Sequence, residues 1–185
     1  MAFWTNNAME PKRSYRFIFE LTGQGDEDVL ASYFVKSASK PNFQMDSTLE
    51  VKYVQHTFYY PGRVKWQPIT VTVVDPGTPD AAGILANILV QSGYTLPNTA
   101  IDSSNSISKI DANNAMRNPK LRQIDQDGKT IESWTLWNAF LTQVNFGNVS
   151  YDEDSIVNYE LTIAYDYASL STKGTKVLPG MKRDG

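Results

Sequence analysis

IESWTLWNAFLTQVNFGNVSYDEDSIVNYELTIAYDYASL, residues 131–170, is the stretch of sequence that decides the fold. Its second half alternates apolar and polar side chains with a period of two, as in a β-strand with one buried and one wetter face. One face carries Val157, Tyr159, Leu161, Ile163 and Tyr165, and the other carries Asn158, Glu160, Thr162, Ala164 and Asp166. A similar run covers residues 134–146, and Gly147 with the acidic segment 151–155 links the two. The stretch therefore predicts a long two-stranded ribbon with something packed against it.

Length and composition favour one β-rich domain. The 185 residues are 41% hydrophobic and 12% aromatic, enough for a domain that buries about 70% of its unfolded surface. Seventeen basic and twenty acidic residues give a formal charge of -3, which argues against a general nucleic-acid-binding surface. There is no cysteine, so disulfides and thiolate sites are excluded. Because neither a signal core nor a run of about 18 apolar residues is present, we expect a soluble protein made in the cytoplasm, without a membrane span.

Further alternating runs predict the other strands of the fold. Strands are expected over residues 14–21, 29–37 and 63–74. A bulge or edge position is expected at Pro68, because proline cannot donate to the ladder. The alternation in residues 49–60 changes phase, which predicts a bulge or bend near Gln55. Residues 121–131 are typical of a hairpin with its turn at Gly128.

One flanking helix is predicted over about residues 79–92. Thr78 can cap it, Pro79 suits its first position and Gly93 suits its end. Its apolar stripe consists of Ile84, Leu85, Ile88 and Leu89.

Three polar segments complete the chain, which we interpret as a single domain over residues 1–185. The N-terminal arm, residues 1–13, carries Phe3 and Trp4 as isolated apolar anchors. Residues 95–118 form a long surface connection, a length often associated with function or a partner. Within it, a short helical segment is indicated by the spacing of Ile107, Ile110 and Met116. The tail, residues 171–185, is expected to be mobile unless a neighbour holds it.

The residues offer no catalytic, cofactor-binding or metal-binding site. His56 is the only histidine, so a histidine-based metal cluster or paired base cannot be built. Residues 123–128 hint at a calcium loop, but Gln123 and Trp134 stand where acidic ligands are required, which favours a hairpin turn. Asp152, Glu153 and Asp154 indicate a solvated acidic loop. The four tryptophans are more typical of a core or an interface than of a sugar platform.

Several motifs, in order and spacing, carry a family resemblance. They are Ser14–Phe19 (SYRFIF), Arg63–Val71 (RVKWQPITV) followed by Asp75, Glu132–Phe140 (ESWTLWNAF), Val144–Gly147 (VNFG) with Tyr151, and Ile156–Ala168 (IVNYELTIAYDYA). With them the chain resembles the tail tube proteins of contractile-tailed, T4-like bacteriophages over nearly its whole length. The long connection and the residues after Ser171 match least well.

The resemblance implies a structural protein rather than an enzyme. Its expected fold is mainly β, a β-roll or sandwich with one flanking helix. Hexameric rings would join their sheets into a continuous inner β-barrel and stack into a hollow tube inside the sheath. The expected partners are further copies of the chain, the sheath, the baseplate and the tail terminator. Double-stranded DNA would pass through the lumen, and the protein would belong to the virion tail after assembly in the host cytoplasm.

The expected surfaces follow from the same picture. Asn158, Glu160, Thr162 and Ala164 are the candidate lumen face, because a neutral-to-acidic wall does not retain DNA through phosphate contacts. Candidate contacts between subunits are Phe3, Trp4, Phe43, Met45, Phe58 and Tyr59, apolar groups set in polar, turn-rich sequence.

Other classes of protein stay open from the sequence alone. One is a tube or ring protein of a related contractile injection system, of the type VI secretion or pyocin kind, which would carry a different cargo. Another is a baseplate protein with a tube-like domain. A third is a monomeric ligand- or sugar-binding β-sandwich, favoured by the aromatic content and disfavoured by the lack of a clustered polar and aromatic site.

Overall fold

The computed structural model is mainly β, as predicted. It describes residues 11–22, 29–30, 34–46, 49–78, 80–95, 106–152, 154–172 and 175–177. The strands are β1 (Phe17–Thr22), β2 (Val29–Leu30), β3 (Val35–Ala38), β4 (Asn42–Met45), β5 (Leu49–Tyr53), β6 (His56–Tyr60), β7 (Val64–Gln67), β8 (Ile69–Val74), β9 (Lys120–Ile124), β10 (Thr130–Trp137), β11 (Phe140–Asn145), β12 (Asn158–Ala164), β13 (Tyr167–Thr172) and β14 (Thr175–Val177). The helices are α1 (Ala81–Gln91) and α2 (Lys109–Met116). Neither helix is long and apolar enough to cross a membrane.

Two large antiparallel sheets form a sandwich around one core. The six-stranded sheet has the order β14-β13-β10-β9-β1-β2, and the four-stranded sheet has the order β11-β12-β8-β3. A single apolar cluster joins them: Phe19, Leu121 and Leu136 come from the first sheet, and Val71, Leu161 and Ile163 from the second. The predicted sandwich with a flanking helix is therefore confirmed.

The ribbon of residues 131–170 is bent, which the sequence did not predict. Its first run is divided into β10 and β11 and its second into β12 and β13, and each half belongs to a different sheet. The bend lies at Asn138, whose φ is +54°, and at Asp166, which accepts a 2.8 Å hydrogen bond from Asn138 Nδ2. Strands that switch sheets through a bend are a known way to build a sandwich corner. The predicted buried face is confirmed, since Tyr159, Leu161, Ile163 and Tyr165 are all buried.

Helix α1 begins two residues later than predicted. Asp80 caps it, its Oδ1 accepting a 3.0 Å hydrogen bond from the Gly83 backbone N–H, so the prediction that Thr78 is the cap was wrong. Ile84, Leu85 and Ile88 are buried as predicted, whereas Leu89 is exposed. Gly93 ends the helix at φ +101°, where a Cβ would lie 2.8 Å from the Ser106 carbonyl oxygen, so glycine is required there.

The predicted long connection and tail contain more regular structure than expected. Helix α2 confirms the short helical segment, but it buries Ala112, Ala115 and Met116 and leaves Ile107 and Ile110 exposed. The tail was expected to be mobile; instead its first residues end β13, and β14 pairs with that strand. The hairpin around Gly128 is confirmed between β9 and β10.

Candidate assembly interface

Four strands form an arm that departs from the sandwich. β4 pairs with β7, and β5 pairs with β6, in two separate antiparallel sheets. We call these four strands and their links the β-arm. Every residue of β4, β5 and β6 is exposed, and β5 and β6 pack extensively only on each other among the described elements. The β5–β6 hairpin therefore presents both of its faces to its surroundings.

About half of the exposed side chains of the β-arm are apolar. The large apolar ones, 41–86% accessible, are Phe43, Met45, Leu49, Val51, Tyr53, Val54, Phe58, Tyr59, Tyr60 and Val64. Four of them are aromatic residues of β5 and β6 that are 52–71% exposed, and together they leave roughly 500 Å² uncovered, since an aromatic side chain offers about 150–250 Å². Patches of about 300–600 Å² are the largest on typical monomers, and about 800 Å² per partner makes a standard interface. The exposed apolar area of the hairpin, spread over its two faces, is therefore comparable to the largest patches on typical monomers, which are often functional.

The tip of the β-arm is a strained turn. Tyr53 and His56 are paired, so Val54 and Gln55 form a two-residue hairpin loop. The predicted change of phase near Gln55 is this turn. Val54 has φ +53°, a region that β-branched residues rarely adopt and that costs about 1–2 kcal/mol. An apolar, β-branched residue thus occupies the most exposed point of the arm.

Aromatic contacts fix the base of the β-arm to the core. The ring of Trp66 on β7 lies edge-on to Phe43 on β4, with centroids 5.3 Å apart, and 6.0 Å from Tyr165. Tyr165 follows β12 and is buried; burial raises its pKa to about 12. Pro68 separates β7 from β8 and so marks where the arm joins the four-stranded sheet.

A buried carboxylate ties the N-terminal segment and the start of the β-arm to one point. Glu132 on β10 is only 6% exposed, and its Oε2 accepts a hydrogen bond from Lys12 Nζ. Its Oε1 accepts hydrogen bonds from Lys40 Nζ at 2.8 Å and Trp134 Nε1 at 2.7 Å. Lys40 also donates to Gln123 Oε1 at 2.8 Å. We call this group the Glu132 cluster.

The electrostatics of the Glu132 cluster favour the ionised carboxylate. Burial of Glu132 raises its pKa, but the hydrogen bonds from Lys12, Lys40 and Trp134 outweigh burial and lower the pKa to about 2. Removing one partner of a buried ion pair of this kind strongly destabilises the folded protein, because an uncompensated buried charge is left behind. Gln123 adds a further contact to the N-terminal segment, because its Nε2 donates to the Arg13 carbonyl oxygen at 3.1 Å.

A polar face covers the outside of the four-stranded sheet. Asn158, Glu160, Thr162 and Ala164 alternate along β12 with the buried Tyr159, Leu161 and Ile163, and so lie on the side away from the core. Glu160 pairs with Asn145 on β11 and with Thr72 on β8. Glu160 is the only charged residue of β8, β11 and β12. Over these three strands the face is therefore hydroxyl- and amide-rich, with a weak negative charge, while the edge strand β3 carries the exposed Lys36.

Comparison with known proteins finds a similar architecture among solved structures but no similar sequence. No family model matches the chain, and no curated protein matches it in sequence. Among solved structures, the anti-feeding prophage cap (AFP tube terminating cap) is similar over 94% of this chain and 100% of that chain, with 21% identity and a TM-score of 0.63. A chain of the PVC sheath-tube complex, an extracellular contractile injection system in its extended state, is similar over 94% and 99%, with 18% identity and a TM-score of 0.64. A chain of the PVC sheath/tube terminator is similar over 89% and 99%, with 17% identity and a TM-score of 0.58.

The chain has the tail-tube fold.

Within the tail-tube fold, the sequence-predicted residues fall into two groups. Four of the predicted contact residues lie together on the β-arm, Phe43 and Met45 on β4 and Phe58 and Tyr59 on β6. The predicted lumen residues lie together on the polar face of β12. Phe3 and Trp4 lie outside the described residues. Whether these groups meet other subunits and the lumen stays a prediction.

Two features of this tail-tube fold were missed from the sequence. The first is that the whole β5–β6 hairpin is exposed, not only its two predicted residues. The second is the Glu132 cluster, whose signal was present: Glu132 shares the phase of Trp134 and Leu136, so a charge stands in the buried series of the strand. The described parts of the chain contain no group of three or more His, Asp or Glu placed to hold a metal ion.

Proposed function

We propose that this protein is the tube subunit of a contractile bacteriophage tail and has a structural rather than a catalytic role. Hexameric rings stack into a hollow tube inside the sheath, and the tube conducts viral DNA into the host cell. The observation that carries the proposal is the uncovered apolar β-arm on a tail-tube fold. An arm with this much exposed apolar area is unfavourable in a free monomer and favourable once a second copy covers it.

Assembly in rings also accounts for the sheet edges. The four-stranded sheet ends in β11 on one side and β3 on the other, and unpaired edges invite uncontrolled pairing unless they are covered. Joining these edges between copies produces a closed barrel without free edges. The β-arm, with Phe43, Met45, Phe58 and Tyr59, and the N-terminal anchors Phe3 and Trp4 then contact neighbouring subunits of a single-domain protein.

The polar face of β12 is the proposed lumen wall. A wall built from Asn158, Thr162 and Ala164 with Glu160 as its charge offers no cation to phosphate, so DNA passes without the counterion release that drives binding. The sheath, the baseplate and the tail terminator are the remaining proposed partners. The assembled protein belongs to the virion tail and is put together in the host cytoplasm.

Electron microscopy of negatively stained protein, with sedimentation velocity alongside, tests the proposal. Rings or hollow tubes with a central channel are expected at high protein concentration or after addition of purified baseplates. A homogeneous monomer that baseplates do not nucleate would overturn it and favour a monomeric ligand-binding sandwich.

A second candidate is the tube of a contractile injection system that delivers protein. It is favoured by the similar chains described above, which come from extracellular contractile injection systems. The cargo separates the two candidates. Nuclease-protected DNA in particles that contain this protein supports the phage tail, whereas protein inside the tube and no DNA supports the injection system.

A further inference from the structure

A pocket lies on the outer face of the six-stranded sheet, where β9 begins and β10 ends. It encloses about 480 Å³, within the range of binding pockets. Lys120 and Thr135 are paired across β9 and β10. They lie on the side away from the core, because the residues that follow them, Leu121 and Leu136, are buried. The residues that line this outer-face pocket are Glu20, Arg117, Asn118, Lys120, Thr135 and Trp137.

A fixed aromatic surface forms one side of the outer-face pocket. The indole of Trp137 stacks on the ring of Tyr167, with centroids 6.1 Å apart, and its Nε1 donates a 2.8 Å hydrogen bond to Ser169 Oγ. Tyr167 is still 36% exposed, and Trp137 is only partly buried. Because these contacts already hold the indole, covering it with a partner costs little side-chain entropy. Tryptophan and tyrosine, with arginine, are enriched in the hot spots of protein interfaces.

The charges at the outer-face pocket favour an anionic occupant. Arg117 and Lys120 are exposed at its rim. The one carboxylate among the lining residues, that of Glu20, is already paired, because its Oε1 accepts a hydrogen bond from Arg122 Nη2. With Arg122 included, three cationic groups face one anionic group, on a chain whose formal charge is -3. The pocket is therefore a local basic site on an acidic protein.

The backbone of Arg117 is strained where it meets the outer-face pocket. Arg117 caps the C-terminus of α2 with φ +52° and ψ −144°, a conformation that glycine adopts readily and other residues rarely. Its N–H donates a 2.7 Å hydrogen bond to the Asn113 carbonyl oxygen. Strained residues of this kind are concentrated at ligand-binding positions, and here the strain places a cationic residue at the rim of the pocket.

A peptide fits the outer-face pocket better than a nucleic acid does. The second carboxylate oxygen of Glu20 can accept a hydrogen bond from a peptide N–H. The backbone of DNA carries no such donor, and its phosphates are repelled by the same carboxylate. The aromatic surface is a single pair of rings rather than a row on which successive bases stack.

We propose that the outer-face pocket binds an acidic peptide segment of a partner protein. A carboxylate of the segment pairs with Lys120 and Arg117, and an apolar or aromatic side chain beside it covers the indole of Trp137. The contact goes beyond the proposed tube function and does not depend on it. It also lies on a different sheet from the polar face of β12.

Titration of the full chain with synthetic pentapeptides, at concentrations where the protein is monomeric, tests the proposal. The probes are an acidic peptide with a central tyrosine between glutamates and aspartates, and its neutral counterpart with glutamines and asparagines. Binding is followed by the nuclear magnetic resonance signal of the Trp137 indole N–H, which is assigned from its loss in Trp137→Phe. We expect the acidic peptide to bind about tenfold more tightly than the neutral one at low salt, and the difference to shrink at high salt.

Charge reversal at Lys120 is the decisive variant. Lys120→Glu should weaken binding of the acidic peptide about tenfold, and Lys120→Gln should give an intermediate affinity. The matched control is Lys129→Glu, which makes the same change of charge at an exposed residue of the turn between β9 and β10 that does not line the pocket. This control should bind the acidic peptide as the native protein does.

Four outcomes would each overturn the inference. Equal affinity for the acidic and neutral peptides would exclude recognition of charge. Equal losses in Lys120→Glu and Lys129→Glu would place the binding outside the pocket. A single-stranded oligonucleotide that binds more tightly than the acidic peptide and shifts the Trp137 signal would identify a nucleic-acid site instead. A shift of the Trp137 signal with protein concentration alone, lost in Lys120→Glu, would show that a second copy of this chain occupies the pocket.

Discussion

Replacing Glu132 by glutamine tests whether the Glu132 cluster holds the N-terminal segment and the β-arm base in place. Glutamine preserves the shape of the side chain and an acceptor for Trp134 Nε1, but it removes the negative charge that Lys12 and Lys40 share. Both lysine side chains are about half exposed, at 49% and 50%. They can therefore be hydrated in the variant, so the substitution measures the charge contacts rather than two newly buried cations.

The expected loss in the free energy of unfolding of Glu132→Gln follows from the pKa of Glu132. The hydrogen-bonded carboxylate has a pKa of about 2 instead of 4.5, and about 1.4 kcal/mol corresponds to each unit of pKa difference between the folded and the unfolded state. The upper limit is therefore about 3 kcal/mol. Because solvent screens the half-exposed lysines, we expect a loss of about 2 kcal/mol in the free energy of unfolding at pH 7. A folded-state pKa below the unfolded value stabilises the protein above pH 4.5, and this contribution disappears as the pH falls toward 2.

Urea unfolding of the native protein and of Glu132→Gln measures this effect. Unfolding is followed by tryptophan fluorescence between pH 7 and pH 2.5, at concentrations where the protein is monomeric. The two free energies should differ by about 2 kcal/mol at pH 7 and converge near pH 2.5. Glu160→Gln is the matched control, because Glu160 is exposed on the polar face, and a surface change of this kind stays within about 0.5 kcal/mol. A difference for Glu132→Gln that stays constant across the pH range would refute the reasoning, since a lost charge contact must titrate.

Four further predictions concern assembly. Phe58→Ser should weaken ring or tube formation about 30-fold, the effect of removing an interface aromatic residue that contributes about 2 kcal/mol. The control Tyr151→Ser, at a residue fully exposed in the connection before β12, should leave assembly unchanged. Equal sedimentation profiles of the two variants would contradict the prediction. Val54→Gly should raise the free energy of unfolding by about 1 kcal/mol, because glycine adopts a positive φ without strain, and should still weaken assembly; unchanged assembly would mean that the tip is not buried. Glu160→Lys should leave tubes intact but make them retain DNA at low salt and release it at high salt, and no change in retention would place this residue outside the lumen. Deleting residues 1–10 should change the free energy of unfolding by no more than about 0.5 kcal/mol and should reduce tube formation in sedimentation. Full assembly of the shortened chain would exclude a role for the N-terminal arm.

The buried face of β12 could be predicted because a period of two is a local property of the chain. The alternation from Tyr159 to Tyr165 can be recognised from neighbouring residues alone. The bend of the ribbon could not be predicted in the same way. Trp134, Leu136, Asn138 and Phe140 stay in phase across it, and the side chain that bonds Asn138 at the bend is that of Asp166, 28 residues away in the sequence. The Glu132 cluster is similarly hidden, because Lys12 is 120 residues away from its partner.

The β-arm shows a different limit of sequence-based prediction, and it leads back to function. The alternation in β5 and β6 has the composition of half-buried strands, yet every residue in them is exposed. Burial against the chain's own core and burial against another copy require the same side chains, so the sequence alone does not distinguish them. The structure rules out the first, because the core contains Val71, Leu161 and Ile163 and no residue of the hairpin. The described part of the monomer does not cover the hairpin, and a neighbouring copy in the proposed tube is the surface expected to cover it.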